Sequence, residues 1–279
     1  MQRAVRNDGP FGLAQYAIAA VDIALWDLRA RLERVPLAGL LGRVRDAIPS
    51  YASGGFTSLS AGELRGQLAG WVERGFRMVK MKVGRDPSAD PERVRQARSA
   101  IGDRPGLFVD ANGAYDALQA LELAERFADQ GVTWYEEPVS SDDLDGLRLL
   151  RGRVSPGMEV AAGEYGTDVP YFGRMLDAVD VLQADVTRCG GVTGMLRVDT
   201  LCTARNRPLS AHCAPQASAH VCCALESAVH VEYFHDHARI EAMLFDGALQ
   251  PIDGDLRPDD SRPGLGIELR SADTRRWAV

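Results

Sequence analysis

The segment RMVKMKVGRD, residues 77–86, carries the only two lysines among 32 basic residues, the others being arginines. Lys80 and Lys82 sit two apart in an apolar run with Met78, Val79, Met81 and Val83. On an extended strand that spacing turns both amines to the same side. If that side is a covered interior, each amine disfavours the other's charge, and desolvation acts in the same direction. An amine that can lose its proton near neutral pH is a general base. Arginine cannot take that role, because its guanidinium stays protonated. The plain alternative is a half-exposed strand with two solvated lysines. A GC-rich genome would explain why lysine is scarce, but not where these two lie.

Further ionisable residues follow at an even pace. From Lys82, the steps to Asp110, Glu136, Glu164, Asp185, His212 and Glu232 are 28, 26, 28, 21, 27 and 20 residues. One such carboxylate alone is usually a helix cap; a whole series in phase calls for a common purpose. Asp110, Glu136 and Glu164 on successive strands would make a hard-oxygen site suited to Mg²⁺, and no Cys or His spacing there suggests zinc. Glu136 and Glu137 are adjacent, so one of them is expected to face inward, and spacing does not choose. A carboxylate beside an imidazole fixes its tautomer and supports its protonated form, which makes Asp185 and His212 a second acid/base pair. Of the other histidines, His220 reads as helical and His230 as part of a strand. His235 and His237 form an HxH pair that could bind metal, with a surface loop the favoured reading.

The elements that would position these groups alternate. Strand candidates cover 47–52, 77–82, 106–110, 132–136, 158–162, 180–184, 208–211 and 229–233. Helical periods cover 61–74, 90–101, 116–130, 142–151, 168–177, 191–205 and 216–227. Ahead of them, residues 11–42 read as helix ended by Pro36, with Ile18, Val21, Ile23, Ala24, Leu25 and Leu28 on a broad apolar face. Residues 246–269, rich in Gly, Pro and Asp, read as an ordered tail without helix. Eight strands with helical connections predict a parallel sheet closed into a barrel, whose catalytic groups come from the C-terminal strand ends. An open doubly wound sheet is the alternative, but no GxGxxG follows the first strand.

Composition narrows the function classes. A net charge of −7 argues against nucleic acid as partner. No apolar run is long enough to span a membrane, and the N-terminus lacks a signal-peptide pattern. Five cysteines without a CxxC pair fit a reduced, cytoplasmic protein with buried thiols.

In order along the chain, VKMKVG, VDANGAY, WYEEPV, AAGE, QADVTRCGGVTG and SAHCAP resemble the enolase superfamily, specifically its mandelate racemase subgroup. The resemblance runs from about residue 11 to 269. A lysine or histidine base with Mg²⁺ stabilising an ene-diolate is a known pattern for that superfamily, so the lysine argument coincides with it. The resemblance implies an α/β fold, a TIM-type barrel of modified (β/α)7β form. It implies that Lys82 removes the proton α to a carboxylate, with Lys80 lowering its pKa and neutralising the substrate carboxylate. It assigns Asp110, Glu136 and Glu164 to Mg²⁺, choosing Glu136 over Glu137, and Asp185 with His212 to the opposing dyad. Glu232 would donate a hydrogen bond to the substrate carboxylate if protonated, and Asn112 would neighbour metal and substrate. Dehydration of a sugar acid to a 2-keto-3-deoxy acid is the expected outcome, with racemisation or epimerisation of a 2-hydroxy acid second. Cycloisomerases of the superfamily place a lysine on the opposite face, and this chain has no third lysine. The resemblance also implies a homo-oligomer.

Relatives carry an N-terminal α+β cap whose loops close over the substrate. The expected organisation is remnant cap helices over 1–45, the barrel over 46–245, and a tail over 246–279 packing back on barrel or cap. With most of the cap absent, weak or no turnover is expected of the chain alone, and activity matching a capped version would refute this. Two other classes are kept: a Schiff-base aldolase, which borohydride trapping on Lys80 or Lys82 would reveal, and an inactive scaffold, which failure to bind Mg²⁺ would favour.

Overall fold

The computed structural model describes residues 1–5, 7 and 12–270. The eight apolar segments become β1 (Ile48–Gly54), β2 (Met78–Lys82), β3 (Gly106–Asp110), β4 (Val132–Glu136), β5 (Glu159–Ala162), β6 (Val181–Ala184), β7 (Leu209–Ala211) and β8 (Ala228–Phe234). All neighbours are parallel, and β1 pairs with both β2 and β8, so the sheet closes into a barrel. Between the strands run α3 (Ala61–Glu73), α4 (Asp90–Ile101), α5 (Ala117–Ala128), α6 (Leu144–Arg151), α7 (Val169–Met175), α8 (Gly191–Ala204) and α9 (Pro215–Cys222), and α10 (His235–Leu244) follows β8. Several helices start where local chemistry dictates. Ser60 and Glu63 form a capping box on α3, and Asp116, Asp143 and Asp168 cap α5, α6 and α7. The seven inter-strand helices agree with the expected TIM-type pattern.

The strands are buried on both faces, which is why they read as apolar runs and not as clean alternation. Helices cover the outside. Inside, Tyr51, Phe108, Trp134, Ala161 and Val181 form a separate buried layer that plugs the barrel. Phe108 stacks on Trp134 at 5.3 Å, and the His230 ring lies 5.0 Å from Tyr51 and 5.2 Å from Trp134. Burial, and then the Lys80 charge, push the His230 pKa down to about 3, so this imidazole is a neutral part of the plug, bonded to Ser210 at 2.9 Å. The plug also reaches the layer above it, because Trp134 Nε1 donates to Glu136 Oε2 at 2.9 Å.

Before the barrel stand α1 (Leu13–Glu33) and α2 (Leu37–Leu40). The single helix expected over 11–42 is thus two: α1 ends at a left-handed Arg34, and Pro36 caps α2. Of the expected apolar face of α1, only Ile18 is buried. Ile18, Ala19 and Ala30 are covered, whereas Val21, Leu25 and Leu28 are about half exposed at 45%, 54% and 51%. The helix is apolar around much of its circumference, so its period could not select the contact side. Polar bonds to α8 select it instead, with Asp22 accepting from Thr193 N and Oγ1 and Trp26 donating to Thr193 Oγ1. The His235/His237 pair lies on α10 and not in a loop, and His237 Nδ1 accepts from Ala214 N at 3.2 Å.

The described part of the tail has no helix. Its β9 (Phe245–Asp246) pairs with β11 (Glu268–Leu269), and its β10 (Asp255–Leu256) lies antiparallel to the start of β1. Arg31 on α1 binds Ile267 O at 2.7 Å and Glu268 at 2.5 Å. Residues 271–279 of the expected tail lie outside the described residues.

Candidate active site

The strand register brings the first site residues together. Lys82 pairs with Asp110 across β2 and β3, and Asp110 with Glu136 across β3 and β4, so three ionisable groups end adjacent strands at one level. Gly163 then turns the chain after β5. Its φ is 131°, and a Cβ there would stand 2.3 Å from Gln183 O, so only glycine delivers Glu164 at this level. Asp185 follows β6, His212 follows β7, and Glu232 lies on β8. Lys80, Asp110, Glu136, Glu164, Asp185, His212 and Glu232 are all buried. Asn112 is different, because its residue is exposed and it contributes an amide N–H to Asp110 Oδ1 at 2.8 Å.

One oxygen each of Asp110, Glu136 and Glu164 lies within 4.8 Å of the others. Glu164 Oε2, and Oε1 of the neighbouring Glu137, are buried without a hydrogen-bond partner. Three buried carboxylates converging on one point, one of them with an unpaired oxygen, are a donor set suited to a hard divalent cation. Lys80 Nζ bonds Glu136 Oε1 at 2.5 Å and lies 3.0 Å from Glu232 Oε1, while Lys82 Nζ bonds Asp110 Oδ2.

The lysine charges run opposite to the sequence expectation. Burial works to lower both amines, and Lys80 works to lower Lys82, but carboxylates prevail and both pKa values stand above the ordinary lysine range. The amines do face each other's side, as spacing required; what spacing could not show is that each sits on an acid. Glu232 also departs from expectation. Burial favours its neutral form, but Lys80, His212 and Lys82 hold it well below the usual carboxylate range. It is an ionised acceptor, taking Cys213 N–H at 3.1 Å, and not a protonated donor.

The expected imidazole–carboxylate pair is formed. His212 Nδ1 meets Asp185 Oδ2 at 2.8 Å, and Asp185 Oδ1 accepts from Thr187 N and Oγ1 at 2.7 and 2.6 Å. Burial opposes charging His212, yet Glu232, Asp185 and Glu164 push its pKa up to about 9. Its Nε2 lies 3.3 Å from Glu164 Oε2 without hydrogen-bond alignment.

Three residues were missed by sequence reasoning. Glu137 was expected to face away from Glu136, but its φ of 38° breaks the strand alternation and buries it too. Burial, then Glu164, Asp110 and Glu136, push its pKa up to about 9. Arg188, read only as part of TRCGG, lies over the Tyr165 ring and spans Glu164 Oε1 and Asp185 Oδ2, 3.4 Å from each. Cys213, read only as one of five buried thiols, touches His212 Nε2 at 3.3 Å. Asn112, Glu137, Cys213 and Ala214 are four of the seven described non-glycine residues with positive φ, and all sit just past strand ends at this mouth. Such strain tends to gather where function over-determines the backbone.

Comparison with known proteins gives the family. The family pattern described as Enolase C-terminal domain-like matches residues 63–273, and that of the Mandelate racemase / muconate lactonizing enzyme, N-terminal domain matches residues 1–42. A mandelate racemase/muconate lactonizing enzyme-like protein from Rubrobacter xylanophilus has a solved structure that superposes with a TM-score of 0.98 at 56% identity, over 100% of this chain and 78% of that one. The L-talarate/galactarate dehydratase of Salmonella typhimurium LT2 is 33% identical over 96% of this chain and 67% of its own length. Its structure with Mg and L-lyxarohydroxamate superposes with a TM-score of 0.90, covering 98% of this chain and 69% of that one. The 3,6-anhydro-alpha-L-galactonate cycloisomerase of Streptomyces coelicolor is 34% identical over 97% of this chain and 74% of its own length.

Proposed function

The chain belongs to the enolase superfamily, in its mandelate racemase/muconate lactonizing enzyme branch, and on that footing we propose that it is a Mg²⁺-dependent dehydratase of a sugar acid. The observation that carries the reading is the pairing of two proton-transfer groups around one carboxylate cluster. Lys82 ends β2, and the Asp185-supported His212 follows β7, with β8 and β1 between them on the barrel.

Asp110, Glu136 and Glu164 would hold Mg²⁺. The chemistry such an ion supplies is electrostatic, namely positive charge beside a substrate carboxylate whose α-carbon is losing its proton. The chain's own groups do the rest. Lys82 Nζ takes the α-proton, and Lys80, fixed between Glu136 and Glu232, adds a second cation to the substrate carboxylate's surroundings. For Lys82 to act it must first be neutral, which requires that Asp110 be turned to another cation. His212 Nε2, protonated and held by Asp185, gives its proton to the leaving β-hydroxyl. Water departs, and the enol left behind becomes a 2-keto-3-deoxy acid. If His212 instead returns a proton to the α-carbon, the same residues epimerise the substrate. The lysine count argues against cycloisomerisation, although a relative of that name matches at similar identity.

The deciding experiment incubates the protein with Mg²⁺ and a panel of sugar acids in D₂O and follows masses, with Lys82→Met as control. Loss of water in the wild type alone supports dehydration and names the substrate. A gain of one deuterium without other change replaces it with racemase chemistry. Silence throughout, with no Mg²⁺ uptake by calorimetry, removes the enzyme reading.

A further inference from the structure

We propose that His212, Cys213 and Glu232 form a second metal site, for a thiophilic divalent cation of the Zn²⁺ type, whose filling blocks the proton-donor side of the mouth. It rests on the reading above only for that effect on turnover.

The donor atoms form a nearly equilateral triangle. Cys213 Sγ is 3.3 Å from His212 Nε2 and 3.4 Å from Glu232 Oε2, and Nε2 is 3.5 Å from Oε2. With zinc bonds of about 2.0–2.3 Å, neighbouring ligands of a tetrahedron stand roughly 3.3–3.6 Å apart. The triangle therefore already has the dimensions of one tetrahedral face. Sulfur, imidazole nitrogen and carboxylate oxygen are a donor set that Mg²⁺ does not favour and Zn²⁺ does.

The supporting bonds are in place. Asp185 Oδ2 takes the far imidazole nitrogen at 2.8 Å, the carboxylate–histidine arrangement that orients metal-bound imidazoles. Lys80 lies by Glu232 Oε1, while Oε2, which also accepts the Cys213 N–H at 3.1 Å, faces the triangle. Cys213 and Ala214 both take left-handed backbone, φ 51° and 44°, and Ser218 Oγ fixes the turn by donating to Cys213 O at 2.8 Å. This turn folds the thiol back over His212 instead of letting it follow the strand. A metal here takes the sulfur as thiolate and the imidazole in its neutral form, so two protons leave to solvent on binding, one from the thiol and one from Nε2. It also occupies Nε2, the atom that must carry the donor proton.

Cobalt(II) serves as the probe, because a thiolate ligand gives it a charge-transfer band in the near ultraviolet. The protein, with Mg²⁺ in excess, is titrated with Co²⁺. One equivalent per chain with that band is expected in the wild type and in Asp110→Asn, and no band in Cys213→Ser with unchanged circular dichroism. Absence of the band in the wild type overturns the site; persistence in Cys213→Ser moves it to another cysteine and also overturns it. Zn²⁺ should then suppress turnover, with at least about tenfold more needed in Cys213→Ser, each judged against its own zinc-free rate. Equal sensitivity overturns the blocking role. The cobalt titration needs no turnover, so a failed assignment of activity and a failed metal site give different results.

Discussion

Lys82 shows how neighbours overrule burial at the scale of one residue. Its amine is mostly shielded, which alone would discharge it, but the Asp110 carboxylate restores the charge. Proton transfer at this position therefore needs an amine whose pKa can respond when Asp110 changes partner. Lys82→Arg separates that need from simple charge. A guanidinium can still face Asp110, but it cannot accept the α-proton. Exchange of the substrate α-proton in D₂O should fall by about 10²–10⁴-fold, the ordinary worth of a general base, with Mg²⁺ affinity within a few-fold of wild type. Retained exchange in Lys82→Arg would place the base elsewhere. The site residues that were legible in sequence, Lys80, Lys82, Asp110, Glu136, Glu164, Asp185, His212 and Glu232, are those whose placement follows from period two and from one βα unit per step. Glu137 and Cys213 were not legible because positive φ breaks the strand rule at both. Arg188 was missed because its role is to span residues from two different units.

At the scale of elements, α2 is held to α9 through an imidazole. His220 Nδ1 accepts from Ala38 N at 3.4 Å, and the ring is wholly buried. Burial, and then Arg43, push its pKa down to about 4. An unfolded histidine titrates near about 6.5, so between those values the unfolded chain takes a proton that the folded one refuses. The contribution of His220 to stability is complete above about pH 6.5 and is lost as pH falls toward about 4. At about pH 5 the loss is about 2 kcal/mol. Urea unfolding of wild type and His220→Gln at about pH 7.5 and 5 checks this. The variant should lose less stability on acidification, and an equal loss in both would refute the argument. The eight barrel strands and the seven helices between them were legible to within about five residues at their ends, because apolar runs and caps are local signals, whereas α10 was read as a loop. The contact side of α1 was not, because Asp22 and Trp26 find Thr193 only in the folded chain.

The whole molecule supplies what no single element holds. Asp110, Glu136 and Glu164 come from the ends of β3 and β4 and the turn after β5, and they converge because β1 closes on β8. In the unfolded chain these acids are separated by 26 and 28 residues and offer no preformed site. Mg²⁺ therefore binds the native state far better than the unfolded one, and its binding energy appears as folding stability. There is also repulsion for it to relieve. Burial, and then Asp110, push the Glu136 carboxyl up to about 8, although Lys80 works against them. Mg²⁺ at about a hundred times its dissociation constant should raise unfolding stability by about 2.7 kcal/mol, and EDTA should remove the gain. Asp110→Asn, compared with and without Mg²⁺, should gain little, whereas Lys82→Met should gain at least as much as wild type because it removes a competing cation from Asp110. A wild-type midpoint indifferent to Mg²⁺, together with no uptake by calorimetry, would mean that the converged carboxylates are held by the lysines alone. In that case the barrel presents a closed ion-pair cluster where the family chemistry needs an open metal site.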